Sequence, residues 1–206
     1  MSYKINIVLI NLLSAEERVF TTAQAERLGV QRNVLAQACR AGKMKRIARG
    51  AYRLAGVPPS DADELLAFWK LTAPRKLTEE RAEEDTWDGI AVGGATAAAL
   101  HGFEGFQLLP YRLLSPTRIN SRNARLHTGV RTIAREDVSF KLGLPVTTPE
   151  RTIVDLILDK EETALIQLAL ATAITAGTFD YTHFEKLLAQ HATKPSALRI
   201  CRELQL

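Results

Sequence analysis

The sequence predicts an α+β chain: an N-terminal winged helix-turn-helix followed by a mixed α/β C-terminal domain with a small antiparallel sheet and C-terminal helices. Three observations predict it. Residues 21–54 read as two short helices around Gly29 and then two short strands around Arg49-Gly50. Gly56-Val57-Pro58-Pro59-Ser60 interrupts the chain where two prolines block continuation of helix or strand. Beyond it, short apolar runs separated by turns give way to amphipathic helices after Thr148. The expected domains are therefore 1–56 and 61–206.

Composition sets the outer bounds. The chain has 206 residues, 46% of them apolar and 24% charged, enough to bury a core in one large domain or two small ones. No run approaches the roughly 18 apolar residues of a membrane span. A lone Lys4, a polar break at Asn11 and no small-residue cleavage site argue against a secretory leader. Cys39 and Cys201 are too few for a disulfide framework or a cysteine zinc site, so a cytoplasmic location is expected. His101, His127, His183 and His191 lack metal-ligand spacing. The reading implies no cofactor, no metal and no membrane partner.

Charge is unevenly spread. Residues 1–54 hold ten Lys or Arg against Glu16, Glu17 and Glu26, a net +7, and the rest of the chain carries −3. Such asymmetry points to a nucleic-acid-binding module joined to something else. In the first helix, Thr21 or Thr22 caps residues 23–28, with Ala25 and Leu28 facing inward. After the Gly29 turn a second helix runs from Gln31 to about Arg40. Val34, Leu35, Ala38 and Cys39 share its apolar face, and Gln31, Arg32, Asn33, Gln37 and Arg40 share the other. Those polar types read base edges: Arg pairs with guanine, Asn or Gln with adenine. The following hairpin carries Lys43, Lys45, Arg46 and Arg49, suited to phosphates or the minor groove. The bland alternative is a helical hairpin used only for docking.

The remainder is expected to be structural in most of its parts. Ser60 or Asp61 caps a helix with Leu65, Leu66, Phe68, Trp69 and Leu71 on its apolar stripe. Residues 75–88 are densely charged and read as an exposed helix or mobile excursion. Gly89–Val92, Tyr111–Leu114, Gly129–Ile133 and Val138–Leu142 read as strands, the last three in one antiparallel sheet. Gly93-Gly94 ahead of an Ala-rich helix could hold an anion, but a tight turn is the favoured reading. Thr148-Pro149-Glu150 starts a helix, in which Arg151 and Asp155 are read as surface partners. Further helices are expected over 161–176, stopping at Gly177, over 180–190, and from Pro195-Ser196 onward. Six arginines between 112 and 135, with no acid among them, either form a second anion-binding surface or pair with the acids of 75–88 and 159–162.

A family resemblance enters on three blocks. The basic hairpin ending Arg49-Gly50-Ala51-Tyr52-Arg53-Leu54, the segment from Gly94 to Phe103, and the segment from Val146 to Leu156 together resemble the AbiEi antitoxins of type IV abortive-infection toxin–antitoxin systems. The resemblance implies a bacterial autorepressor whose winged helix binds inverted repeats in double-stranded operator DNA, as a monomer in solution with two copies on the operator. It also implies a C-terminal domain that counters a nucleotidyltransferase toxin, and it carries over no catalytic residue. The acid-free basic stretch makes Arg118, Arg122, Arg125 and Arg131 the candidate antitoxin surface. Two other readings stay open: a winged-helix transcription factor with a ligand-sensing C-terminal domain, and a DNA-targeted nuclease or nucleotidyltransferase. For the latter, Glu136 and Asp137 beside Lys141 are a poor carboxylate cluster.

Overall fold

In a computed structural model, the structure describes residues 2–177 and 179–191, with side chains from Val8 onward. The helix expected from Pro195-Ser196, and Cys201, lie outside the described residues. The chain forms two compact units: Met1–Asp88 with Leu142–Leu144, and Gly89–Lys141 with the residues from Pro145 onward.

The first unit opens with α1 (Ser2–Glu17), a helix the sequence reading did not assign. Its Ile10, Leu13 and Glu17 are buried, the i, i+3, i+7 spacing of a core-facing stripe. Strand β1 (Val19–Thr21) then leads into α2 (Thr22–Arg27). Thr21 caps α2: its Oγ1 accepts the Gln24 N–H at 3.0 Å, and Gln24 Oε1 accepts the Thr21 N–H at 2.8 Å. Ala25 is fully buried as expected, but Leu28 is 39% exposed. The helix ends at Arg27, Gly29 turns the chain with φ +80°, and the Val30 N–H returns to the Ala25 carbonyl at 3.0 Å. Val30, rather than Leu28, therefore enters the core.

Next come α3 (Arg32–Arg40) and the hairpin of β2 (Met44–Ala48) and β3 (Ala51–Leu54). Strand β3 is central, antiparallel to both β1 and β2. Leu35, Phe20, Val30, Met44 and Tyr52 form the core beneath α3, with Val34, Ala38 and Cys39 packed on it.

Two helices complete this unit, α4 (Asp63–Thr72) and the single turn α5 (Glu79–Ala82). The compact unit thus runs through Asp88, past the Pro58-Pro59 break read as a boundary. The reason is electrostatic and apolar together. Asp63, at the start of α4, lies 2.8 Å from Arg18 Nε and 3.1 Å from Arg53 Nη1, and Trp69 is fully buried. Residues 75–88 are likewise anchored, not a mobile excursion. Gln24 Nε2 donates to the Lys76 carbonyl at 2.7 Å, Lys70 pairs with Glu17 and reaches Thr78 Oγ1 at 2.7 Å, and the Arg81 guanidinium stacks 3.8 Å from the Trp69 ring. Two acids of this segment answer bases of the same unit: Glu80 meets Arg27 at 2.7 Å and Asp88 meets Arg81 at 2.6 Å.

The second unit holds a five-stranded sheet of β4 (Ala91–Val92), β5 (Tyr111–Ser115), β6 (Leu126–Val130), β7 (Val138–Lys141) and β8 (Leu144–Thr147), in the order β6-β5-β4-β8-β7. The α+β class stands, but the pairing is mixed rather than antiparallel. Strand β4 runs antiparallel to β5 and parallel to β8, and β5 runs parallel to β6 from Tyr111↔Leu126 to Ser115↔Val130. Residues 116–125 carry the chain back to the start of β5, so β6 enters alongside it in the same direction. That return also places β6 three residues earlier than the expected 129–133.

Helices α6 (Gly94–Leu100), α7 (Pro149–Asp159), α8 (Thr163–Thr175) and α9 (Tyr181–His191) complete the unit. Thr148 caps α7 by accepting the Arg151 N–H, with Pro149 in the first turn, and Gly177 follows α8 at φ +73°. The α7 side chains Ile153, Val154, Leu156 and Ile157 are fully buried against Ala98, Phe103, Ile166 and Phe184. Each such burial is worth roughly 1.5–3 kcal/mol, so this helix anchors the domain.

Candidate functional site

In the first unit, the expected DNA-facing residues share one property. Gln31, Arg32, Asn33, Gln37 and Arg40 of α3, and Lys43, Lys45, Arg46 and Arg49 of the hairpin, are all exposed. The cause is the helix period: Leu35 fixes the inward face of α3, and one turn of 3.6 residues brings the polar positions outward together. Strand β2 alternates in the same way, with Met44 buried while Lys45 and Arg46 are exposed. The Asn33 Oδ1 accepts the Val34 N–H at 2.9 Å, leaving its amide NH₂ directed away from that bond. Arg46 Nε donates to the Ala48 carbonyl at 3.4 Å. Three other basic residues of the module have acidic partners: Arg18 and Arg53 hold Asp63, and Arg27 holds Glu80.

In the second unit, the arginine-rich stretch divides. Arg118, Arg122 and Arg125 are exposed on the β5–β6 connection, and Arg118 and Arg122 line a shallow concavity with Asn120, Thr128 and Val130. Arg125 lies 5.9 Å from the Tyr111 ring centre. Arg131 is elsewhere: its side chain is only 17% exposed, 3.0 Å from Asp155 Oδ1, and paired with Asp159 as well. Arg112 joins Asp159 at 2.7 Å. Arg151 Nε lies 3.2 Å from Asp155 Oδ1 and its Nη1 3.5 Å from Asp137, which also meets His183 at 2.8 Å. The Arg151–Asp155 pair expected on the helix surface is thus present but buried. Burial pushes the Asp155 carboxyl up, opposed by Arg151 and Arg131. A buried, mutually neutralised network of this kind holds structure together rather than offering charge to a partner.

The Gly93-Gly94 turn adjoins the same network. A Cβ on Gly94 would come within 2.9 Å of Asp159 Oδ2, and one on Gly93 would strike the Leu114 side chain. Glycine is needed there for close packing, and a carboxylate already stands against the turn, which suits the tight-turn reading and not an anion site. Among the described residues no group of three His, Cys, Asp or Glu could hold a metal ion.

A second cluster escaped the sequence reading. His101 Nε2 lies 2.7 Å from the Thr147 carbonyl, which can only accept, so that nitrogen carries the proton. Its Nδ1 then accepts from Lys141 Nζ at 2.8 Å, and Phe103 stacks on the ring at 5.4 Å. Burial pushes both His101 and Lys141 below their ordinary values, while Glu150 pulls the histidine the other way. His101 and Lys141 are forty positions apart, and no spacing in the sequence links them.

Two family models match this chain. The first, a transcriptional regulator of the AbiEi antitoxin type, covers residues 8–55, and the second, the AbiEi antitoxin C-terminal domain, covers residues 90–199. The chain belongs to the AbiEi antitoxin family. Its role is accordingly that of an antitoxin and transcriptional regulator. The regulator match spans α1 to β3 and so contains every exposed polar residue of α3 and the hairpin. A solved structure, the RV2827C protein from Mycobacterium tuberculosis, shares the fold of this AbiEi-family chain: TM-score 0.61 at 16% identity, over 96% of this chain and 74% of that one. No curated protein matches the sequence. No helix among the described residues is long and apolar enough to cross a membrane.

Proposed function

We propose that this antitoxin represses its own operon in the cytoplasm by binding inverted repeats in double-stranded operator DNA, one copy on each repeat, from a monomer in solution. Helix α3 reads base edges with Gln31, Arg32, Asn33, Gln37 and Arg40, and the β2–β3 hairpin grips phosphates with Lys43, Lys45, Arg46 and Arg49. The observation that carries this reading is the coincidence of all nine exposed side chains on α3 and the hairpin of a family described as transcriptional regulators. The second unit counters a nucleotidyltransferase toxin by binding, not by catalysis, through Arg118, Arg122 and Arg125. Arg131 is assigned to the buried network instead.

A paired assay on full-length protein tests this. Arg32→Ala should derepress a reporter driven by the chain's own promoter yet leave rescue from the co-expressed toxin intact under an artificial promoter. Arg118→Glu, Arg122→Glu and Arg125→Glu together should do the reverse. Loss of rescue by the DNA-binding variant would replace the two-function reading with repression alone.

A further inference from the structure

The second unit contains a cavity of about 290 Å³ whose lining combines apolar side chains with one lysine. Phe103, Pro149 and Ala173 give apolar lining, and Lys141, His101, Ser139 and Thr172 give polar lining. Lys141 spends two of its N–H groups, on His101 Nδ1 at 2.8 Å and on the Leu100 carbonyl at 3.4 Å. Among the described residues no third acceptor meets it, and the Ser139 hydroxyl has no partner there either. The bond to Thr147 places the His101 proton on Nε2, and burial together with the Lys141 ammonium disfavours a second proton, so Nδ1 supports the ammonium as an acceptor. The lining combines a single cationic donor and a hydroxyl with apolar side chains, a common form of small-molecule site.

We propose that this cavity binds a small organic carboxylate with an apolar body. The carboxylate takes the remaining Lys141 N–H and the Ser139 hydroxyl, and the body lies against Phe103 and Ala173. Size sets the class. At the ~30 Å³ a water occupies in the liquid, the space equals roughly ten waters, which suits a short-chain or single-ring acid. This assignment is separate from operator binding, which uses the other unit.

The test uses full-length protein with benzoate and hexanoate as probes, read by ligand-observed NMR and thermal shift. Saturable binding of both is expected. Benzamide, which keeps the ring without the charge, and inorganic phosphate, which keeps charge without the body, should each bind at least tenfold more weakly. Lys141→Met should weaken benzoate about 10- to 100-fold, the range for one charge-assisted hydrogen bond. Because that variant alters the His101 contact, Ala176→Phe serves as a second probe. Ala176 is an exposed lining residue, so a bulky ring there should plug the mouth without disturbing the core. Absence of saturable binding to either acid overturns the proposal, as does wild-type affinity in both variants or equal binding of phosphate. Operator affinity measured on the same samples separates this failure from failure of the repressor reading.

Discussion

Two stretches of this chain look alike in sequence and behave oppositely. Residues 31–49 and residues 112–135 are both rich in basic side chains and free of acids over most of their length. In the first, the bases on α3 and the hairpin are exposed. In the second, Arg112 and Arg131 turn inward to Asp159 and Asp155, and only Arg118, Arg122 and Arg125 on the connecting loop stay outside. The difference lies in what the fold brings alongside. Helix α7 delivers two carboxylates to the sheet, whereas among the described residues no acid is paired with the exposed polar side chains of α3. Local charge therefore does not reveal whether a basic run is a binding surface; distant acids decide it.

The sharpest way to break this comparison is to remove an acid from the network. Asp155→Ala should destabilise the protein by about 3–5 kcal/mol, because it removes the buried carboxylate that Arg151 and Arg131 share and leaves them only Asp137 at 3.5 Å and Asp159. Arg32→Ala should leave the urea midpoint within error of wild type, since surface changes usually stay within about 0.5 kcal/mol. If the Asp155 variant melts like wild type, the inward arginines are not structural.

Next in size are effects on DNA. Arg32→Ala or Asn33→Ala should cost about 1–3 kcal/mol on the cognate operator and relax sequence preference, as measured by mobility shift against cognate and random duplexes. Equal loss on both duplexes would show that α3 does not read bases. Lys45→Ala or Arg46→Ala should instead weaken all sequences alike, lowering the salt slope by about 0.9 for each lost phosphate contact. An unchanged slope would remove the hairpin from the interface.

The smallest expected effect concerns Arg27, a base of the first unit that does have an acidic partner. Its guanidinium, with the Leu77 N–H, holds the exposed Glu80 carboxyl down to about 2. A lowered carboxyl favours folding above its ordinary value near 4.5, and that contribution fades as pH falls towards 2. Wild type should thus exceed Glu80→Gln slightly in urea midpoint at pH 6, and the two should converge near pH 2. A constant difference across that range would mean the pair is not electrostatic.

The sequence by itself determined the local elements whose signals are local. Thr21 with Gln24, Gly29, Arg49-Gly50 and Thr148-Pro149 set caps and turns through their own backbone chemistry, and the period of α3 separated Leu35 from Arg32 and Gln37. A spacing is also present for α1, in Ile10, Leu13 and Glu17. Tertiary structure alone decided three other things: the parallel pairing of β5 with β6, the attachment of residues 57–88 to the first unit, and the fate of each arginine. It also brought His101 and Lys141 together. These are contacts between residues tens of positions apart, and they depend on how helices and strands dock, which no local propensity or charge count encodes.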